Sequence, residues 1–271
     1  MLTRIISGVI GVIALVAVLV FMPPIATEIA VVIVSAIALF EFYRALFGGK
    51  TGMMSKILIV IMGYIFGLVL AFANPEQVFP AVIIGALAVL AVPVFRYKVI
   101  SFKDASSAYL GSIYIFGLLR YITMVRELNG GNLLVFAIFI GAFITDTGAY
   151  FAGCFFGKHK LAPQLSPKKT IEGSVGGVVA TVLAFCLYGY VGRLTFDYSV
   201  NIVNLVITAV LLALVSQVGD LAASAIKREI GIKDYGNLMP GHGGALDRFD
   251  SVLFTAPVFY YLNNILPIFG N

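Results

Sequence analysis

Nine apolar runs follow one another along this chain, separated by short polar breaks, and they decide what it can fold into. They cover residues 5–21, 25–42, 57–73, 78–95, 107–124, 133–153, 175–191, 202–219 and 250–268. A helix needs roughly 20 mostly apolar residues to cross a bilayer core, and inside that core only helices and closed barrels satisfy every backbone amide. Composition agrees: 61% of the residues are hydrophobic and 11% charged, with a mean hydropathy of +1.03, whereas soluble domains carry about 25% charged residues. The sequence therefore predicts an all-α, polytopic integral membrane protein of about nine transmembrane helices. The first run follows Arg4 and leads straight into Pro23 and Pro24 without a small-residue cleavage site. It reads as an anchor, not a signal peptide.

Orientation follows from the basic residues, which concentrate in cytoplasmic loops. With the N-terminus in the cytoplasm, all but Arg120, Arg126 and Arg193 of the 18 Lys and Arg residues fall on that side. The expected topology is N-terminus in and C-terminus out, in the cell's inner (plasma) membrane, with the net charge of +5 facing anionic lipids and nucleotides. Cys154 and Cys186 have no CxxC or metal spacing and read as small buried hydrophobes.

The two halves differ in what their spans contain. Residues 1–130 show helices and short basic loops with no acidic residue clearly inside a span, which suits a scaffold providing lipid access and dimer contacts. Glu41 and Arg44, one helical turn apart at the end of the second run, read as interfacial anchors. Residues 131–271 bring ionisable groups into the spans and two long cytoplasmic loops between them, and form the catalytic region. No internal repeat of the kind that builds many carriers is present.

Asp146 lies inside the sixth run, flanked by Thr145, Thr147 and Tyr150, and an ionisable group at membrane depth is a functional candidate by default. The loop after it carries Lys158, Lys160, Lys168 and Lys169, with a Ser166-Pro167-Lys168-Lys169-Thr170 turn. Lysines supply mobile positive charge, and a helix starting after Pro167 would add free amides, so the loop suits phosphate. His159, between two lysines, reads as a solvated group.

The densest constellation spans residues 216–251. If the eighth helix continues through it, Asp220, Ser224, Lys227 and Arg228 share a face. Beyond Lys233 comes Gly241-His242-Gly243-Gly244, followed by Asp247, Arg248 and Asp250. Glycines let a backbone approach a ligand closely, and the helix after them presents amides to phosphate. Clustered carboxylates repel unless a cation neutralises them, and hard oxygen ligands favour magnesium shared with nucleotide phosphates.

These residues resemble the signature of the phosphatidate cytidylyltransferases, the CDP-diacylglycerol synthases. Ser224, Lys227-Arg228, Lys233-Asp234, Pro240, His242-Gly243-Gly244, Asp247-Arg248 and Asp250 stand at that family's spacings, and Asp146 through Thr170 resembles it independently. The likeness covers roughly residues 140–255; Ala245 stands where a larger aliphatic residue is common. It implies that phosphatidate and CTP give CDP-diacylglycerol and pyrophosphate, with Mg2+ required, K+ as a second cation, and a homodimer in the bilayer. No nucleic-acid partner is implied. The resemblance assigns Asp220, Asp247, Lys168, Lys169 and Arg248 to catalysis. It assigns Asp220, Asp247 and Asp250 to the metal, with Asp146 completing that shell or orienting a lysine, and Ser166, Thr170, Ser224, Lys227, Arg228, Lys233, His242, Gly243 and Gly244 to substrate binding. A CTP-dependent polyprenol or phytol kinase shares similar C-terminal motifs and is the nearest alternative. A carrier with Asp146 and Asp220 on an ion path is another. The Asp-Gly signature of CDP-alcohol phosphotransferases is missing.

Overall fold

The computed structural model describes residues 2–196, 198–236 and 243–270, with side chains in the first helix described from Ile13 onward. His242, expected to bind substrate, lies outside the described residues. Each apolar run falls on its own helix: α1 (Leu2–Phe21), α2 (Pro24–Leu46), α4 (Ile57–Phe72), α5 (Pro75–Arg96), α6 (Phe102–Arg126), α7 (Gly131–Phe156), α8 (Ile171–Phe196), α9 (Ile202–Ile230) and α10 (Leu246–Ile265), with the short α3 (Lys50–Ser55) before α4. Among the described residues, six of these (α2, α5, α6, α7, α8 and α9) are long and apolar enough to cross a membrane, and α4 is a shorter apolar helix. Large apolar side chains such as Phe72, Leu87, Phe95, Phe155 and Leu183 are exposed, as lipid-facing residues must be. The fold is all-α and polytopic.

The helices group into two compact units, Met1–Thr123 with Ile230–Arg248, and Met124–Glu229 with Phe249–Asn271. In the first, aromatic side chains from α2 and α6 fill the interior. Tyr43 is fully buried; its hydroxyl donates to the Ala108 carbonyl (2.9 Å) and shares a hydrogen bond with Ser112 Oγ (2.8 Å). Phe66 stacks on Tyr109 at 4.8 Å between ring centres. Helix α6 begins at a capping box, the Asp104 amide donating to Ser101 Oγ and the Ser101 amide to Asp104 Oδ2, which satisfies donors that a helix start leaves open.

In the second unit, α7 and α8 approach closely along small residues. A Cβ on Gly176 would fall inside contact distance of the Ala152 Cβ, and one on Gly148 would meet Ala180. Close backbone approach through small residues is how helices associate in lipid, where no hydrophobic force acts between them. Thr145 and Thr181 hydrogen bond across the same seam at 2.6 Å. Helix α7 widens into a π-turn over Ile140–Ile144, ending two residues before Asp146; such turns often occur beside functional groups. Cys154 and Cys186 are free and exposed, not buried as expected: they sit on α7 and α8, where a thiol faces lipid at little cost.

The loop expected to open a helix after Pro167 is instead a hairpin. Strand β1 (Lys160–Ala162) pairs antiparallel with β2 (Ser166–Thr170), and α8 starts only at Ile171. Proline biases the residue before it toward extended conformations, which suits a strand better than a helical turn. A second short pair, β3 (Ser199–Val200) with β4 (Phe269–Gly270), ties the end of the chain to the α8–α9 connection.

Candidate active site

The second unit holds a charged cluster assembled from α7, β2, α9 and α10. Helix α9 runs unbroken to Ile230, so Asp220, Ser224 and Lys227 do share a face, four and three residues apart. Ser224 and Lys227 are each 8% exposed and Asp250 is 7% exposed. Lys169 on β2 forms an ion pair with Asp220, both side chains about a quarter exposed. Asp250 lies within electrostatic range of Asp220, Lys227 and Asp146, and its Oδ1 accepts the Ser251 amide (2.8 Å). Ser251 Oγ donates to Asp146 Oδ2 at 3.1 Å. Gly219 makes this approach possible, because a Cβ there would come 2.9 Å from the Asp250 carbonyl oxygen.

The hairpin geometry separates residues that the sequence grouped together. Successive side chains on a strand face opposite ways, so Lys169 reaches Asp220 while Lys168 is exposed. Thr170 is the N-cap of α8: its Oγ1 accepts the Gly173 amide at 3.1 Å, the usual work of a threonine there. This bond stands beside the substrate contact expected of Thr170. Arg228 leaves the Asp220 face, is exposed, and donates from Nε to the Leu165 carbonyl at 3.3 Å. His159 is not merely solvated, since its Nδ1 lies 2.6 Å from Glu172 Oε1, and the Lys158 and His159 amides also donate to that carboxylate. Ser166 is half-buried.

The first unit holds the segment that leads into α10. Asp247, 8% exposed, accepts the Tyr235 amide (2.8 Å) and the Gly244 amide (3.0 Å) on Oδ2. Gly243 has a left-handed φ of +85°, a conformation that glycine adopts without strain. The Gly244 amide, expected to meet phosphate, is therefore already engaged by Asp247. Lys233 and Arg248 are exposed. Sequence reasoning missed Glu41: only 4% exposed, it accepts the Leu246 amide at 3.0 Å and also bonds the Ala245 amide. Its neighbour Arg44 donates to the Tyr235 carbonyl at 3.1 Å. An acidic residue at the end of an apolar span was the one available signal.

Among the described residues, no group of three or more His, Cys, Asp or Glu side chains stands ready-made around a metal position. The chemistry of the second unit's cluster still suits a hard cation. The buried Asp250 has two carboxylates, Asp220 and Asp146, in electrostatic range, and such groups are stable together only with a proton or cation among them. All-oxygen donors shared with phosphates are what magnesium takes. The residues fit the ion.

Residues 2–266 match the model of the cytidylyltransferase family, well beyond the stretch of 140–255 that carried the resemblance. Among curated proteins, the phosphatidate cytidylyltransferase of Bacillus subtilis (strain 168) is 34% identical over 272 residues, covering 96% of both chains. The phosphatidate cytidylyltransferase of Staphylococcus haemolyticus (strain JCSC1435) is 39% identical over 162 residues, 60% of each chain. That of Staphylococcus aureus (strain COL) is 38% identical over 175 residues, 64% of this chain and 65% of the relative.

Proposed function

Because the chain belongs to the cytidylyltransferase family, we propose that it is a phosphatidate cytidylyltransferase, converting CTP and phosphatidate to CDP-diacylglycerol and pyrophosphate. A phosphate oxygen of the lipid bonds to the α-phosphorus of CTP. The bond from that phosphorus to the β-bridging oxygen breaks, and its electron pair leaves with pyrophosphate. The nucleophile is already anionic, so no side-chain base is required. The barrier lies in bringing polyanions together and stabilising charge on the leaving group.

The observation that carries this reading is the Lys169–Asp220 ion pair beside buried Lys227 and Asp250, a concentration of both charges among apolar helices. Lys169 and Lys227 attract and orient phosphate oxygens, with Lys168, Arg228, Arg248 and Lys233 adding positive charge at exposed positions. Ser166, Ser224, His242 and Gly243 are the remaining substrate contacts, while Thr170 and Gly244 act through the backbone they fix. Asp146, Asp220, Asp250 and Asp247 would hold Mg2+, which would neutralise phosphate charge when bound; K+ is the proposed second cation. The distribution of Lys and Arg supports nine spans, a cytoplasmic N-terminus and a site facing the cytoplasm from the inner membrane. The family resemblance supports a homodimer.

Product analysis tests the assignment. Purified protein with CTP, magnesium and phosphatidate is expected to release pyrophosphate and form CDP-diacylglycerol in equal amounts. CDP with a phosphorylated lipid alcohol would identify a kinase instead, and ion flux without CTP turnover a carrier.

A further inference from the structure

We propose that Glu41, on α2, is a positioning residue that holds the start of α10 and, through it, Gly243, Gly244 and Asp247. The inference rests on the cytidylyltransferase reading only for its activity measurement. A carboxylate leaves water when other donors replace its hydration, and for Glu41 those donors are the Leu246 and Ala245 amides. These are among the four amides that a helix start leaves without intrahelical partners. An interfacial anchor needs neither the burial nor the bonds.

The surrounding residues are fitted to the same contact. A Cβ on Gly236 or on Gly244 would run into the Glu41 carboxylate, so both glycines make room for this side chain. One turn along α2, Arg44 holds the Tyr235 carbonyl. Asp247 holds the Tyr235 and Gly244 amides. Thus Glu41 and Arg44 hold Leu246 and Tyr235 from positions three residues apart on one helix. The titratable groups facing Glu41 are Asp247 and Arg44, both bonded to Tyr235. The residues held this way include Gly243, Gly244 and Asp247, which the family resemblance assigns to the substrate and cation.

The test uses full-length Glu41→Gln and Glu41→Ala in detergent, with hydrogen exchange at Ala245 and Leu246 measured beside phosphatidate-dependent pyrophosphate release. Glu41→Ala is expected to speed exchange at those amides at least about tenfold while α4 and α6 stay protected. Its kcat should fall about thirtyfold or more, with the KM for CTP within about threefold of wild type, because a misplaced group loses mainly transition-state stabilisation. Glu41→Gln, which keeps an acceptor oxygen, should recover part of both. Unchanged exchange with kcat within about twofold in both variants would overturn the proposal. So would loss of protection spread evenly through the first unit in Glu41→Gln, which marks a general packing role. If wild type releases no pyrophosphate, the assigned reaction fails, and the exchange measurement still decides the role of Glu41.

Discussion

Glu41 Oε2 accepts the amide of Leu246 at 3.0 Å across 205 positions of sequence. The contact joins the second helix to the first turn of the last one, and it explains glycines that otherwise read only as openings for a ligand. Gly244→Ala would place a methyl group against the Glu41 carboxylate, and overpacking of this kind costs about 1–3 kcal/mol. The variant is expected to melt lower in detergent and to lose most of its turnover. Ala in the same position with wild-type melting and kcat would contradict the contact.

Lys168 and Lys169 are adjacent in sequence but face opposite ways on β2, and only Lys169 pairs with Asp220. Lys169→Met should lower kcat about a hundredfold or more, in the range seen when a preorganised charge-stabilising group is removed. Lys168→Met, at an exposed position, should act mainly on the KM for CTP and by less than about tenfold. Steady-state kinetics with CTP varied separates the two. Equal losses would mean that the strand geometry does not govern their roles.

The seam between α7 and α8 depends on Gly176 lying against Ala152. Gly176→Leu should prevent the close approach and destabilise the protein by more than the about 1–3 kcal/mol of simple overpacking, read as a lower melting temperature in detergent. Gly231→Ala tests a different principle, since Gly231 has a φ of +79° but open space around it. Its cost should be about 1 kcal/mol and come from backbone conformation alone.

Much of this was legible in the sequence. Each apolar run fell on a helix, six of them among the described residues long and apolar enough to span a membrane, because hydropathy over roughly 20 residues is a strong signal, and the Asp220, Ser224, Lys227 face followed from helical spacing once α9 ran on. The hairpin was not legible. Its Lys-rich strand lacks apolar alternation, so the proline looked like a helix start. Thr170 and Asp247 were read as ligand contacts, and each also bonds backbone amides; motif spacing identifies a residue without saying which of its partners is protein. Glu41 was hidden for a simpler reason. Its partners are main-chain amides far along the chain, and a main-chain amide has no side-chain identity for a sequence to display.

The central claim is that the carboxylate and lysine cluster around Asp220 performs phosphatidate-dependent cytidylyl transfer. The direct measurement is pyrophosphate release by the purified protein with CTP, phosphatidate and varied magnesium, comparing wild type with Asp220→Asn. The account predicts release that requires the lipid, stops when magnesium is chelated, and falls at least about a hundredfold in the variant at saturating substrates. Release that is independent of phosphatidate, or an Asp220→Asn protein with wild-type turnover at limiting magnesium, would contradict it.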